Sequence, residues 1–368
     1  MSRSMTPFFV SVFLLGLSSV ATAKKLTRLV YEWPDKMDCE WPSKATRTRA
    51  LSDEISIEPH FMAVYRTRIF FVLKKYPEDT PAKVVVSLPK SSGSSEPPRP
   101  NPFPSLDMYE FGNCQKIEEP SGLAVDSLGR LWVLDRGSSK CNSKILTIDL
   151  RNHDQTKVIH QFSFHDWIHD LVLDETNNGT FAYITRWDEQ CLVVFCLERN
   201  ESWIVETPKV QSFAIALSPK YHEPRQLYIG IYSHVFGEWN SNELLSISVA
   251  ALRNGTRTAY PKLIANLTGE PYRMVVDNRG TMYAGFFNKN YISSWNGSQP
   301  FQEQRYFEVA RLDSYWPFTF SKDQSGNIWI MAFNENKAET RFRLLKVTVG
   351  AEQFWDPACC TCTCLSSP

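Results

Sequence analysis

The side chains of this sequence that could carry chemistry are mostly aromatic. They recur at matching positions of a repeated hairpin, at the start of its first strand or at the end of its second. The chief candidates are Phe213, Phe287, Phe318 and Phe333, with the polar residues Asp135, His169, Thr319 and Asn334 among them. Aromatic faces beside a few oxygen and nitrogen groups suit a flat ligand with an amine or hydroxyl group. We therefore expect these residues to bind a small aromatic amine or a catechol-type compound.

The same positions are poor in carboxylates. Asp135 is the only acidic residue among them, whereas a site for a hard cation needs several oxygen ligands. His165 and His169 are four residues apart, a spacing that could bind a metal ion on a helix but is not expected to do so at the entry of a strand. We therefore predict no metal and no cofactor. No familiar catalytic motif is present in the sequence. An enzymatic alternative would need a general base, and His169 and Asp135 are the candidates for it.

The hairpin that positions these residues occurs six times. The clearest copy is Ser121–Gly137, SGLAVDSLGRLWVLDRG, in which two apolar strands flank an Asp-Ser-Leu-Gly turn. Turn markers of successive copies are 45 to 58 residues apart, close to the ~40–50 residues of a propeller blade. The six copies are His60–Pro77, Ser121–Gly137, Ile168–Trp187, Ser212–Ser233, Pro271–Asn290 and Pro317–Asn336.

This repetition predicts an all-β, six-bladed β-propeller over residues 24–349. A β-sandwich also has regular short strands, but it does not explain six copies of one hairpin. An N-terminal strand near Leu26–Tyr31 is expected to complete the last blade. Ligands would then sit at one mouth of the central channel. The predicted mouth residues are the strand openers His60, Ser121, His169, Phe213, Arg273 and Phe318-Thr319, and the second-strand ends Lys74, Asp135, Arg186-Trp187, Tyr232, Phe287-Asn288 and Phe333-Asn334.

The composition limits the class of partner. The chain has 40 Lys and Arg residues and 40 Asp and Glu residues, so its formal net charge is zero. A nucleic-acid binder would need a basic surface, so we expect no nucleic-acid partner. Residues 1–23 resemble a secretory signal peptide, with an apolar stretch too short to cross a bilayer. We expect a secreted, extracellular protein that has no membrane partner.

Secretion would also explain two further features. Five Asn-x-Ser/Thr sequons, expected in turns or loops, are candidate glycosylation sites at Asn178, Asn200, Asn254, Asn266 and Asn296. Nine cysteines are present, four of them in residues 350–368, at Cys359, Cys360, Cys362 and Cys364. Because this tail lacks the spacing of a zinc motif, disulfides are the preferred interpretation, including disulfide-linked multimers. The pairing of Cys39, Cys191, Cys196 and the tail cysteines stays open.

Several short motifs, taken together in their order along the chain, resemble those of the yellow / major royal jelly protein family of insects. They include Glu40-Trp41-Pro42-Ser43, Arg68-Ile69-Phe70-Phe71-Val72, Asn101-Pro102-Phe103-Pro104-Ser105, GRLWVLDRG at Gly129–Gly137, and Phe181-Ala182-Tyr183-Ile184. The resemblance implies a six-bladed propeller, secretion, and a disulfide between Cys114 and Cys141. It also implies three functional alternatives: binding of biogenic amines or pigment precursors, dopachrome conversion in melanin formation, or a structural extracellular role. Thr319 and Asn334 are the nearest matches to the family's amine-contacting residues.

Overall fold

The fold is a closed ring of six four-stranded antiparallel sheets. The computed structural model describes residues 27–33, 37, 56–76, 83–91, 96–231, 242–286, 289–308, 315–334 and 341–348. In each blade the first strand in sequence, or the first of the last three in blade six, lies innermost, and each innermost strand contacts those of both neighbouring blades. The predicted six-bladed β-propeller is therefore confirmed.

Blades one to three each follow the chain without interruption. Blade one is β2 (Ser56–Tyr65), β3 (Arg68–Tyr76), β4 (Lys83–Pro89) and β5 (Asn101–Pro102). Blade two is β6 (Pro120–Val125), β7 (Arg130–Asp135), β8 (Lys144–Asp149) and β9 (Gln155–Gln161). Blade three is β10 (Ile168–Thr176), β11 (Gly179–Arg186), β12 (Cys191–Cys196) and β13 (Glu201–Glu206).

Blades four and five repeat this arrangement, and blade six uses both ends of the described chain. Blade four is β14 (Ser212–Leu217), β15 (Gln226–Ile231), β16 (Glu243–Ser248) and β17 (Lys262–Asn266), with helix α1 (Val249–Arg253) before its last strand. Blade five is β18 (Pro271–Val276), β19 (Thr281–Phe286), β20 (Tyr291–Asn296) and β21 (Gln304–Glu308). Blade six is β22 (Tyr315–Lys322), β23 (Ile328–Asn334), β24 (Phe342–Val347) and β1 (Thr27–Trp33). A short 3-10 turn, Leu106–Met108, lies between blades one and two.

The N-terminal strand closes the ring. β1 pairs antiparallel with β24, so Thr27 lies opposite Val347 and Trp33 lies opposite Phe342. The predicted completion of the last blade by the N-terminus is confirmed. The first and last described strands of the chain therefore share one sheet, which joins blade six to the N-terminal segment that precedes blade one.

The middle strands are buried on both faces, as expected when each sheet packs between two neighbours. In blade one the consecutive residues Phe70 and Phe71 are both fully buried, and in blade three every residue of β12 is buried. This explains why the repeated hairpin shows apolar runs instead of alternation. Cys191 and Cys196 are buried free thiols of β12. Cys39 and the tail cysteines lie outside the described residues.

Buried aspartates fix the turn between the first two strands in four blades. Each carboxylate accepts a hydrogen bond from an aromatic side chain of the second strand, and three of the four aromatic residues lie six positions after the aspartate. The four pairs are Asp126 with Trp132 Nε1 (2.9 Å), Asp174 with Tyr183 Oη (2.7 Å), Asp277 with Tyr283 Oη (3.0 Å) and Asp323 with Trp329 Nε1 (2.9 Å). The turn markers of the sequence are therefore structural anchors that tie each hairpin to its own core.

The turn of blade two also shows why glycine is needed there. Gly129 has φ of +82°, in the region that side chains disfavour. A Cβ at this position would lie 2.3 Å from Tyr65 Oη of blade one. The turn therefore packs directly against the neighbouring blade.

The cysteine and sequon predictions have different outcomes. Cys114 and Cys141 form a disulfide that links the entry of blade two to its β7–β8 connection. The five sequon asparagines are all exposed. However, Asn266 and Asn296 are the last residues of β17 and β20, so these two do not lie in loops as expected. Among the described residues no helix is long and apolar enough to cross a membrane.

Replacing Asp126 by Ala should destabilise the fold. The substitution removes the acceptor for the backbone N–H and Nε of Arg130 and for Trp132 Nε1, and it leaves a buried indole N–H unsatisfied. We expect a loss of about 2–4 kcal/mol in the free energy of unfolding, measured by denaturant titration. The exposed Asp188→Ala variant is the control and should lose less than about 0.5 kcal/mol. Equal losses in both variants would refute the anchor role.

Candidate functional site

Every innermost strand contains a one-residue β-bulge at the same level. The pairing register shifts by one residue between Pro59 and Met62 in blade one and between Pro317 and Thr319 in blade six, and equivalent shifts occur in the other four blades. A bulge leaves one residue unpaired and re-aims its side chain. Blades four to six each leave one residue without a partner in the register, namely Phe213, Tyr272 and Phe318. Blades one to three each leave two consecutive residues without one, and the first of each two is His60, Ser121 or His169. These six are called the bulge residues.

The bulge residues contact one another across the channel. The His169 and Phe213 rings stack with centroids 3.9 Å apart, and Phe213 contacts Tyr272 at 5.9 Å. Tyr272 contacts Phe318 at 5.5 Å, and its hydroxyl is 3.0 Å from Nδ1 of His60. Phe318 in turn lies 5.3 Å from His60. These five rings form a continuous aromatic layer, here called the ring layer, across the central channel.

A second layer lies directly after the bulges along the chain. Its charged members are Asp170 of blade three and Arg273 of blade five, which pair at 2.5 Å while almost fully buried. Asp170 also accepts the backbone N–H of Ile215 at 3.1 Å. The Arg273 guanidinium lies 4.6 Å from the centroid of Phe61, a favourable cation–π distance. This layer therefore ties blades one, three, four and five together beneath the ring layer.

A small cavity opens on the mouth side of the ring layer. It encloses about 160 Å³ and spans blades one to four. Its lining residues are His60, Phe61, Val72, Lys74, Lys83, Pro120, Ser121, Arg136, Ile168, His169, Trp187 and Phe213. The Trp187 indole stands at its edge, 6.5 Å from Phe213 and 4.7 Å from Trp167. The arrangement offers aromatic faces, two imidazoles and three cationic side chains in one place.

His169 is kept neutral in this cavity. Burial lowers its pKa well below the ordinary value, and the positive charges of His60, Arg273 and Lys83 act in the same direction. Its ring packs between Phe213 and Phe61, whose centroid is 4.9 Å away. A neutral imidazole can accept a proton, so the position suits a general base as well as a packing role.

Two cations at the cavity share one carboxylate. Lys83 Nζ lies 2.8 Å and Arg136 Nη1 lies 3.0 Å from the same oxygen, Oε1 of Glu119. Burial lowers the pKa of Lys83, and the nearby charges of Arg136 and Lys74 lower it further although Glu119 opposes them. For Glu119 burial acts in the opposite direction, but the charges of Lys83 and Arg136 leave its pKa lowered.

The structure brings only part of the predicted site together. His169 and Phe213 line the cavity, and the predicted mouth residues Lys74 and Trp187 join them. Phe318 belongs to the ring layer but not to the cavity lining. Phe333 lies behind Phe318, at 6.3 Å, and packs against Phe342 at 5.2 Å within blade six.

The polar residues of blade six are buried away from this cavity. Thr319 is fully buried in the second layer, and its hydroxyl has no hydrogen-bond partner among the described residues. Asn334 is 1% exposed, lies opposite Tyr315 in the sheet and donates its backbone N–H to the Arg341 carbonyl. Neither residue lines the cavity of blades one to four.

Asp135 has a structural environment. Its carboxylate accepts the backbone N–H groups of Glu118, Glu119 and Gly137 at 2.8–2.9 Å, and Lys144 Nζ is 3.2 Å away. The residue is fully buried. These contacts use the lone pairs that a general base would need, so His169 is the better placed of the two candidates.

Other predicted mouth residues come from the fourth and fifth copies of the hairpin. The hairpin pattern predicts Arg273 as the strand opener of blade five, and this prediction is wrong. The bulge residue there is Tyr272, one position earlier, and Arg273 is paired with Gly285. Phe287, with Asn288, and Tyr232 lie outside the described residues.

Lys83 and Arg136 are cavity residues that the hairpin pattern does not predict. Arg136 directly follows the predicted second-strand end Asp135, so a prediction that allowed one more residue would have included it. Lys83 begins the third strand of blade one, and nothing in the hairpin pattern points to that position.

A larger cavity, of about 520 Å³, opens at the opposite end of the innermost strands. Apolar side chains such as Met62, Met274 and Phe320 line it, with the Asp170–Arg273 pair between it and the ring layer. Its polar groups are largely engaged within the protein: Lys322 Nζ, for example, donates to the Val276 carbonyl and to Asn278. Over the part of the chain that the structure describes, no group of three or more His, Cys, Asp or Glu residues could hold a metal ion.

The sequence also matches a known family. Residues 120–343 match the profile of the major royal jelly protein family, described as "Major royal jelly protein". The chain belongs to this family. The predicted resemblance is therefore confirmed, and the matched region covers blades two to five and most of blade six.

The individual relatives share little sequence identity with this chain. "Protein yellow" of Drosophila erecta is 23% identical over 375 residues, covering 88% of this chain and 68% of that protein. "Protein yellow" of Drosophila subobscura is 21% identical and the match covers 64% of it. This chain thus spans about two thirds of the length of these relatives. A gluconolactonase structure from Xanthomonas campestris superposes with a TM-score of 0.51 at 11% identity, covering 87% of this chain and 98% of that one. At this identity the likeness concerns the fold alone.

The stability of the protein should depend on pH through His169. Its folded pKa lies below the unfolded value of about 6.5, so below this pH the unfolded state binds a proton that the folded state does not. Stability should therefore fall as pH decreases from 7 to 5, by up to about 1.4 kcal/mol per pH unit for this residue. His169→Gln should have a shallower dependence, measured as unfolding free energy at both pH values. Parallel curves for the two proteins would contradict this assignment.

Proposed function

We propose that the protein is a secreted propeller that binds a small aromatic compound of the catechol or aromatic-amine class at the cavity of blades one to four. The supporting observation is the ring layer, which closes the channel and leaves aromatic faces of Phe213, His169 and Trp187 around a pocket of one-ring size. Pockets for larger ligands enclose about 300–1,000 Å³, which this cavity does not reach.

Membership of this family also supports a secreted protein that binds aromatic compounds. Its curated relatives are named "Protein yellow", which suggests a role in pigmentation, and the predicted signal peptide and five exposed sequons support secretion. The ligands proposed on the resemblance, melanin precursors and biogenic amines, are single- or double-ring aromatic compounds, and the single-ring members match the size of the cavity. Thr319 and Asn334 do not line this cavity, so we place the ligand beside His169 and Phe213 instead.

Calorimetric titration with dopamine, with simple catechols and with the indoleamine serotonin tests this proposal. Trp187→Ala should weaken binding about tenfold, because it removes an aromatic face at the cavity edge. The control is Tyr221→Ala, an exposed residue beside the cavity at the opposite end, which should leave affinity unchanged. The absence of binding by every compound, or loss of binding in the Tyr221 variant alone, would overturn the proposal.

Dopachrome conversion is a second candidate because His169 is neutral and lies within the cavity. As a general base, His169 would take a proton from the bound aminochrome. A dopachrome decay assay should then show turnover that falls at least about 100-fold in His169→Ala. Full turnover in this variant would remove His169 from the mechanism, and binding without any turnover would leave the protein a carrier.

A structural extracellular role is the remaining alternative, based on the cysteine tail. The tail lies outside the described residues, so its cross-linking stays a prediction from the sequence. It would appear as multimers that reducing agents dissociate.

A further inference from the structure

The cavity beside the ring layer is unusually cationic for a site that would accept an amine. Of the twelve described residues that line it, three carry positive charge, Lys74, Lys83 and Arg136, and none carries a carboxylate. They come from three separate places, the ends of β3 and β7 and the start of β4, so the fold brings them together. An ammonium group entering this cavity would meet like charges.

Among the described residues, Lys83 and Arg136 share one carboxylate, that of Glu119. A single oxygen of Glu119 serves both Lys83 and Arg136, and Arg136 reaches Asp166 only at 3.5 Å. The Nε of Arg136 is buried and has no hydrogen-bond partner among the described residues. An arginine beside a lysine in a partly buried site is well suited to a bound carboxylate, since charge-assisted hydrogen bonds are stronger than neutral ones.

Another part of the cavity lining is aromatic. The stacked pair His169 and Phe213 lies there, with Trp187 at the edge. Because the cavity encloses about 160 Å³, a compound with one ring and a short acidic side chain is the size it can accommodate.

We infer that the cavity selects an aromatic carboxylate, whose ring packs against Trp187 and Phe213 and whose carboxylate pairs with Lys83 and Arg136. This inference rests on the proposed function and narrows its ligand class from catechols and aromatic amines to catechols that carry an acidic group. The cationic aromatic amines are then the disfavoured members of the class.

Three catechols with the same ring but different charge test the inference. They are 3,4-dihydroxyphenylacetate (an anion), 4-methylcatechol (neutral) and dopamine (a cation), each titrated calorimetrically without oxygen so that the catechols stay reduced. The anion should bind about tenfold or more tightly than the neutral compound, and dopamine should bind most weakly. Added salt should reduce the advantage of the anion.

Variants of the charged residues separate recognition from a structural effect. Lys83→Gln should remove most of the advantage of 3,4-dihydroxyphenylacetate and leave the affinity for 4-methylcatechol within about twofold, while Lys83→Arg should retain the preference. Glu119→Gln should strengthen binding of the anion severalfold, because it removes the carboxylate that competes for Lys83 and Arg136. A purely structural role for Glu119 would instead weaken binding of all three compounds. The exposed Glu201→Gln on β13 is the charge-matched control and should change nothing.

The outcomes distinguish this inference from the proposed function. Dopamine binding as tightly as the anion, with Trp187→Ala weakening both, would overturn the carboxylate preference and leave aromatic binding in place. The absence of binding by all three compounds would overturn both. Anion preference that survives in Lys83→Gln and is unaffected by Glu119→Gln would show that other charges recognise the carboxylate, and it would also refute the inference.

Discussion

The one-residue bulge shared by the six innermost strands determines what the channel can do. It aims His60, His169, Phe213, Tyr272 and Phe318 into the axis, where they meet in a single aromatic layer. Without the bulge, strand alternation would turn these side chains toward a sheet face and leave a hollow channel. The layer instead lies between two cavities, a cationic one of about 160 Å³ and a larger one of about 520 Å³ that is lined by both apolar and charged side chains.

Two sets of contacts hold the ring layer in place. One is the buried ion pair in the adjacent layer, and the other is the set of contacts within and between the blades. The Asp170–Arg273 pair crosses the channel, and Ala214 of blade four occupies the equivalent position between them with a small side chain. Breaking a buried pair by removing one partner leaves an uncompensated charge, so each member depends on the other. Farther out, the turn aspartates fix the hairpins, and the β1–β24 pairing closes the ring.

The repeat, the blade count and the closing strand could be predicted from the sequence because hairpin turns and apolar strands have local signals. The position of the site could be predicted only in part. His169 and Phe213 were identified from their place at the strand opening, but the bulge moved the opener of blade five from Arg273 to Tyr272. Thr319 and Asn334 were suggested by family resemblance, and their burial depends on how blade six packs. Lys83 reaches the cavity from a third strand, and only the assembled fold shows that proximity.

A ligand in the cavity of blades one to four would lie on the mouth side of the ring layer. A crystal structure of the protein with bound 3,4-dihydroxyphenylacetate would locate it. We expect electron density for the ring beside Trp187 and Phe213, with the carboxylate within hydrogen-bonding distance of Lys83 and Arg136. Density in the opposite cavity, beside Met62 and Phe320, would contradict this placement, because the ligand would then lie on the far side of the aromatic layer.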